Sequence, residues 1–139
     1  MTKRILILAL LCLILLPLLV SCKGNDAPSE PSEEELALTN KAFIHDRTMS
    51  VDKKLFVISL KEENTFVYAE GYSSYIGTGT WSLKDGVLTL KEDKSTSKGL
   101  TFVFTVTDTA LIYREDGSDP FPSGKVKDGD TFTVLQDLD

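Results

Sequence analysis

The residues best suited to chemistry are scarce in this chain, which has one histidine, His45, and two cysteines, Cys12 and Cys22. A histidine and cysteine metal site needs several such ligands, and the peptidase motif His-Glu-x-x-His does not occur. A serine nucleophile would need His45 as its base, and there is no Gly-x-Ser-x-Gly elbow. We therefore expect no catalytic residue, metal or other cofactor, with His45 a structural residue on an edge strand.

Carboxylates are the second chemical resource, because two facing acids alone can hydrolyse a glycosidic bond. Most acids here follow turn patterns, as at Asp85 and Asp108, where solvated side chains are the expectation. The oxygen-rich stretches 116–119 and 128–130 resemble calcium loops in composition but lack Asp-x-Asp-x-Asp-Gly and its later Glu. We interpret both stretches as ordinary loops. Hydrolysis by two facing carboxylates is kept as an alternative function, behind the two binding functions given below.

The cysteines belong to the N-terminal stretch. Lys3 and Arg4 precede an apolar run over 5–20 and the small residue Ser21, which is the three-part pattern of an export signal. The run has about 16 residues, so a helix would be about 24 Å long, short of the roughly 30 Å core of a bilayer. Pro17 near the end of the run also disfavours a membrane span. We predict an N-terminal signal helix and a signal peptide over 1–21.

Leu19-Val20-Ser21-Cys22 resembles the lipobox of bacterial lipoproteins. In that family a diacylglyceryl group is joined to the cysteine thiol, and the signal is cut just before it. The resemblance implies that Cys22 is the lipidated first residue of the mature protein, carrying palmitate-type chains at the extracytoplasmic face of a bacterial membrane. Two acyl chains anchor a protein stably, at about 0.8 kcal/mol per buried methylene. The alternative is an ordinary secretory signal with a cysteine at its edge by chance.

Charge and composition restrict the partners. The net charge is −6 and becomes more negative once Lys3 and Arg4 are removed, which disfavours nucleic acid and anionic headgroups. With Cys12 discarded and Cys22 lipidated, no disulfide can form. Residues 23–35 hold two prolines, five acids and no large apolar side chain, so we predict a disordered acidic linker over 22–39. A short helix beginning at the glutamate run is the alternative.

Residues 40–139 alternate apolar and polar positions between Gly, Asp, Asn and Ser breaks, which predicts an all-β domain. Asp85-Gly86 between alternating runs is a strong hairpin signal, and we expect Gly77 and Gly79 to make room for Trp81. One buried face and one wet face favour a small antiparallel up-and-down barrel or half-barrel, with a sandwich as the alternative. The pattern predicts about eight strands, at 41–46, 55–60, 65–70, 77–84, 87–92, 100–107, 110–115 and 130–136.

Several of these stretches carry a resemblance. Residues 56–60, 65–66, 77–81 and 86–90 look like the small lipocalin-like lipoprotein domains of bacteria. The match is closer, over 74–81, 100–113 and 128–132, to a domain of clostridial-type bacteria. That domain occurs as free lipoproteins and as the extracytoplasmic tail of antibiotic-sensing-type membrane metallopeptidases. The resemblance spans about 55–135, departs where Trp81 replaces the usual Tyr, and implies a fold without a settled activity.

Aromatic residues at loops are the best binding candidates. Tyr72 and Tyr75 flank Ser73-Ser74, and Phe121 lies between two prolines. With Trp81 they form the predicted ligand-binding set, provided that the loops meet at one barrel end; the alternative is that they cap the core. We expect a membrane-anchored cell-envelope lipoprotein whose β domain binds or senses without catalysis, with an envelope or membrane protein as partner. The alternative is a lipocalin-like carrier of a small hydrophobic ligand, which requires an empty apolar cavity.

Overall fold

The computed structural model describes residues 30–46 and 55–135 of the chain. Cys22, the predicted signal peptide 1–21 and the linker up to residue 29 lie outside the described residues. Neighbouring strands pair antiparallel in chain order, and the first strand also pairs with the last, which closes the sheet into a barrel. The elements are α1 (Glu33–Leu38), β1 (Ala42–His45), β2 (Phe56–Leu60), β3 (Thr65–Glu70), β4 (Tyr75–Lys84), β5 (Val87–Glu92), β6 (Thr101–Val106), β7 (Ala110–Arg114) and β8 (Thr131–Val134).

The predicted up-and-down barrel is confirmed in its closed form, so the half-barrel and sandwich alternatives do not hold. Closure is made by β1 and β8, with Phe43 opposite Val134 and His45 opposite Phe132. Because β1 therefore has a neighbour on each side, His45 does not lie on an edge strand, and that prediction was wrong. The alternation of apolar residues sets the face of each side chain but does not reveal whether the first and last strands meet.

Aromatic side chains fill the barrel. Ring centroids of contacting pairs lie between 3.9 Å, for Phe102 and Phe121, and 6.5 Å, for Phe104 and Phe121. Rings at such spacings are in direct contact, so side chains occupy the interior of this small barrel. The fully buried large residues are Phe43, Phe56, Ile58, Leu60, Phe66, Tyr68, Leu88, Leu90, Phe102, Phe104, Leu111 and Phe132.

A short helix corrects the predicted linker. The Ser32 hydroxyl accepts from the Glu35 amide at 3.1 Å, and the Glu35 carboxylate accepts from the Ser32 amide at 3.0 Å, which forms a capping box. Leu38 at the other end of α1 is buried in the core of the barrel. The linker prediction was therefore wrong from Glu33 to Leu38, because α1 belongs to the compact unit Pro31–Asp139. Among the described residues, no helix has the length and apolar content to cross a bilayer.

The connections distinguish two ends of the barrel. The helix end carries α1 with the turns 61–64, 85–86 and 107–109, and the loop end carries the connections 71–74, 93–100 and 115–130. At the helix end Asp85 and Gly86 both have positive φ, 52° and 72°, as a tight hairpin turn requires, and the predicted hairpin is confirmed. The loop end is where polar side chains enter the barrel.

The glycines of β4 lie in close contact with residues of β3 and β5. A Cβ at Gly77 would overlap the Tyr68 ring and the Glu92 carboxylate, and one at Gly79 would overlap the Lys91 carbonyl. Gly77 therefore leaves space for the Tyr68 ring and the Glu92 carboxylate, and Gly79 leaves space for the backbone of β5. That the two glycines also make room for Trp81 stays a prediction.

Candidate functional site

Four buried polar residues lie at the loop end: His45, Glu70, Glu92 and Asp130, each at most 6% exposed. We call them the polar belt. Glu70 follows the inward-facing Tyr68 by two residues, and Glu92 follows the inward-facing Leu90 in the same way. The alternation that places apolar side chains inside thus also carries these acids inside. Sequence reasoning missed them because it considered acids only in turns and in the linker.

Glu92 of β5 forms hydrogen bonds to β3, to β4 and to the connection 93–100. Its carboxylate accepts from the Tyr68 hydroxyl at 2.7 Å, from the Leu100 amide at 3.0 Å and from the Tyr75 hydroxyl at 3.3 Å. Burial raises the pKa of Tyr68 far above its usual range, and the hydrogen bond to Glu92 acts in the same direction. Tyr68 therefore keeps its proton and acts as a permanent hydrogen-bond donor.

Tyr75, one of the predicted binding residues, is the first residue of β4 and is half-buried at this end of the barrel, so its predicted place in a loop was wrong. Its hydroxyl oxygen also accepts from the Lys98 amide at 2.9 Å, and the Lys98 ammonium lies 5.1 Å from the centre of the ring. Tyr72 is half-buried in the neighbouring connection 71–74. Tyr75 thus holds the connection 93–100 against β4.

Glu70 fastens the long loop 115–130 to the barrel. Its carboxylate accepts from the Ser123 amide at 3.0 Å, from the Ser123 hydroxyl and from the Ser73 hydroxyl at 2.5 Å. A carboxylate that accepts several hydrogen bonds is well satisfied despite its burial. Glu70 therefore connects β3 to two of the loops at this end.

Phe121 closes the loop end from within. Only 2% of Phe121 is exposed, and its ring stacks on Phe102 at 3.9 Å with an interplanar angle of 5°. The rings of Phe56 and Tyr68 meet it edge-on at 4.9 Å and 5.5 Å. Phe121 is therefore part of the core, as the alternative interpretation of a capping residue predicted.

Trp81 lies at the opposite end of the barrel from the other predicted binding residues. It is buried, with 3% exposed, and its indole nitrogen donates to the Lys61 carbonyl at 3.3 Å. Lys61 begins the turn between β2 and β3, at the helix end. The structure thus brings Tyr72, Tyr75 and Phe121 to one end and keeps Trp81 apart from them.

His45 and Asp130 join β1 to the residues before β8. His45 Nε2 lies 3.1 Å from Asp130 Oδ2, which also accepts from the Lys127 amide at 2.9 Å. The acids considered for calcium have comparable partners: Asp119 accepts from the Thr101 amide at 2.8 Å, and Asp128 accepts from the Glu115 amide at 2.9 Å. These carboxylates shape the loop 115–130 through hydrogen bonds to the backbone.

A groove of about 770 Å³ crosses the outer wall over β3, β4 and β5. Only Gly79 and Thr80 of β4 are paired with both neighbouring strands, because β3 pairs with the first part of β4 and β5 with the second. Beyond the overlap the connection 93–100 covers β4, through the Asp93 amide donating to the Thr78 carbonyl at 2.9 Å. We call this the lysine groove. Its charged and hydroxyl-bearing lining residues are Lys61, Lys91, Lys94, Glu92, Asp93, Thr65, Thr78, Thr80 and Thr96.

A second, smaller groove of about 330 Å³ lies between α1 and the helix end of the barrel. Leu38, Leu83 and Val106 contribute apolar surface to it, and Glu34 and Asp108 contribute acids. Both grooves thus lie outside the packed interior.

No protein-family model, curated protein or solved structure matches this chain.

Proposed function

We propose that this chain is a bacterial cell-envelope lipoprotein whose β-barrel binds a partner through its outer surface, without catalysis. The lipid on Cys22 would hold the barrel at the extracytoplasmic face of the membrane. The stretch Leu19-Val20-Ser21-Cys22 after a short apolar run supports the anchor. The packing of Phe121 into the barrel is the observation that carries the choice of the outer surface.

A carrier would need an apolar cavity of a few hundred Å³ inside the barrel. Phe121 instead lies in contact with Phe102, while Phe132 meets Phe56 at 5.1 Å and Phe104 at 5.6 Å. Rings at these spacings leave little space for a ligand between them. Recognition by the outer wall and the loops is therefore favoured over carriage within.

The bonding of the buried acids supports a non-enzymatic role. Glu70 and Glu92 each accept hydrogen bonds that fix a loop against the barrel, and Asp130 is engaged by both His45 and the Lys127 amide. Acids that perform proton transfer need access to a substrate, whereas Glu70, Glu92 and Asp130 are buried. The polar belt is best explained by a structural role, in which its hydrogen bonds hold the loops of the loop end against the barrel.

Metabolic labelling with radioactive palmitate in a bacterial host tests the anchor. We expect the wild-type chain to be labelled, Cys22→Ser to lose the label, and Cys12→Ser to retain it because Cys12 lies in the discarded signal. Equal labelling of the Cys22→Ser chain would contradict the proposal.

A titration with a hydrophobic fluorescent probe separates the proposal from the carrier alternative. A filled barrel should give no stoichiometric, saturable binding, whereas a carrier should bind one probe per chain. Crosslinking at the native membrane should then capture a partner through residues of the outer wall, and capture only through interior positions would contradict outer-surface binding.

A further inference from the structure

The lysine groove gathers positive charge on an acidic protein. The chain carries a net charge of −6, yet Lys61, Lys91 and Lys94 line this one groove, each from a different part of the chain. Lys61 begins the β2–β3 turn, Lys91 lies near the end of β5, and Lys94 lies in the connection 93–100. All three side chains are on exposed residues, so their ammonium groups are accessible to a ligand.

Acids close to these lysines are bonded elsewhere. Glu62, beside Lys61, accepts from the Asn40 side chain at 3.2 Å. Asp93, beside Lys94, accepts from both the amide and the hydroxyl of Ser95 at 2.8 Å, and these bonds lower its pKa. Within residues 30–46 and 55–135, no carboxylate forms a salt bridge with any of the three lysines of the groove. Asp93 also lines the groove, and its lowered pKa keeps it negatively charged, whereas Glu92 is buried with its carboxylate bonded to Tyr68. Three exposed lysines therefore face one exposed carboxylate, and the remaining positive charge can attract an anion.

Hydroxyl groups form the floor between the lysines. The register places Thr65 opposite Thr80, and Thr80 opposite Lys91, so these three outward-facing side chains form one row across β3, β4 and β5. The hydroxyls of Thr78 and Thr96 lie 2.9 Å apart, and because one proton suffices for this bond, the second is available to a ligand. Such a floor suits oxygen-rich ligands.

We propose that the lysine groove binds a phosphate ester of a polyol or sugar. Lysine ammonium groups bind phosphate as point charges, whereas planar recognition of a carboxylate favours arginine, and the groove is lined by lysines. The threonine hydroxyls of the lysine groove would form hydrogen bonds with the hydroxyls of the polyol. The lysine groove has a volume of about 770 Å³ and is open to solvent, so it suits an extended ligand. The inference rests on the proposed binding through the outer wall and names the chemistry of one ligand.

The test is an NMR titration of the full-length chain in a non-ionic detergent, with glycerol 3-phosphate as the probe. We expect saturable shifts of the Thr78, Thr80 and Lys91 amides, with no such shifts from glycerol alone. Binding should weaken as salt is raised towards 1 M, because the Debye length falls from about 10 Å at 0.1 M to about 3 Å. Equal shifts with glycerol would overturn the proposal, and so would the absence of saturable shifts with both glycerol 3-phosphate and micelles that contain phosphatidylglycerol.

Two double variants with the same change in net charge separate a site from general attraction. K61Q/K91Q should weaken binding of glycerol 3-phosphate on the order of tenfold, because two charge-assisted contacts are lost. K125Q/K127Q, which changes exposed lysines of the loop 115–130, should leave it within about twofold. Equal weakening in both variants would overturn the proposal.

A further arm identifies the source of the phosphate ester. Micelles doped with phosphatidylglycerol present the same chemistry as a lipid headgroup. Shifts at the groove with soluble glycerol 3-phosphate would support a soluble ligand, and shifts only with doped micelles would support a headgroup. The absence of shifts with both probes would overturn the phosphate proposal. Absence of palmitate labelling in the wild-type chain would instead contradict the proposed lipid anchor. Failure of the phosphate proposal and failure of the proposed anchor are therefore distinguishable.

Discussion

Replacing Phe121 with alanine should destabilise the barrel by about 4–5 kcal/mol. Removing a buried phenylalanine costs about 1.5–3 kcal/mol in burial, and a cavity on the order of 100 Å³ adds about 2.4 kcal/mol at about 24 cal/mol per Å³. Collapse of the site is restricted, because the bonds of Ser123 to Glu70 and of Asp119 to Thr101 hold the loop on either side of Phe121. The loss would be a large part of the roughly 5–15 kcal/mol stability of a small domain.

Urea unfolding followed by the fluorescence of Trp81 measures this loss. Trp81 is the single tryptophan, and it is buried at the opposite end of the barrel, so it reports on the whole fold. Phe121→Leu is the matched control and should lose clearly less. Benzene should partly restore Phe121→Ala by filling the cavity. A loss in the free energy of unfolding below about 1 kcal/mol would refute the burial of Phe121 in the core. Equal stabilisation of the wild type by benzene would refute it as well.

Three further predictions concern the interior. Trp81→Ala should cost about 3–5 kcal/mol in thermal unfolding followed by circular dichroism; a neutral result would place Trp81 at the surface. Gly77→Ala should cost about 1–3 kcal/mol in urea unfolding, because the added methyl overlaps the Tyr68 ring; unchanged stability would refute that contact. Burial raises the folded-state pKa of Tyr68, so the unfolded chain loses this proton first. Stability should be intact below about pH 10 and fall above it by about 1.4 kcal/mol per pH unit, and a flat alkaline profile in urea unfolding would contradict the buried hydrogen bond.

The sequence predicted the strands well because alternation is a local property. Phe66 and Tyr68, two residues apart, face inward as predicted, and continuing the same step would have placed Glu70 inside as well. The helix α1 also has a local signal, since Ser32 and Glu35 have capping-box spacing, although the acidic run around them is equally typical of a disordered linker. The burial of Glu70 and the start of α1 are therefore both encoded by neighbouring residues.

Other features depend on contacts between distant parts of the chain. Closure of the barrel needs β1 to meet β8, and the lysine groove needs the offsets that bring Thr65, Thr80 and Lys91 into one row. Phe121 lies in a loop without alternation, so its burial follows from the partners that hold the loop 115–130. Neither propensity nor periodicity contains such register information.

The most direct test of the lipoprotein proposal is the intact mass of the chain extracted from bacterial membranes. The proposal predicts a species that begins at Cys22, lacks residues 1–21 and carries the added mass of a diacylglyceryl group on that residue. A membrane-bound chain that still begins at Met1, or one that begins at Cys22 with an unmodified thiol, would contradict it.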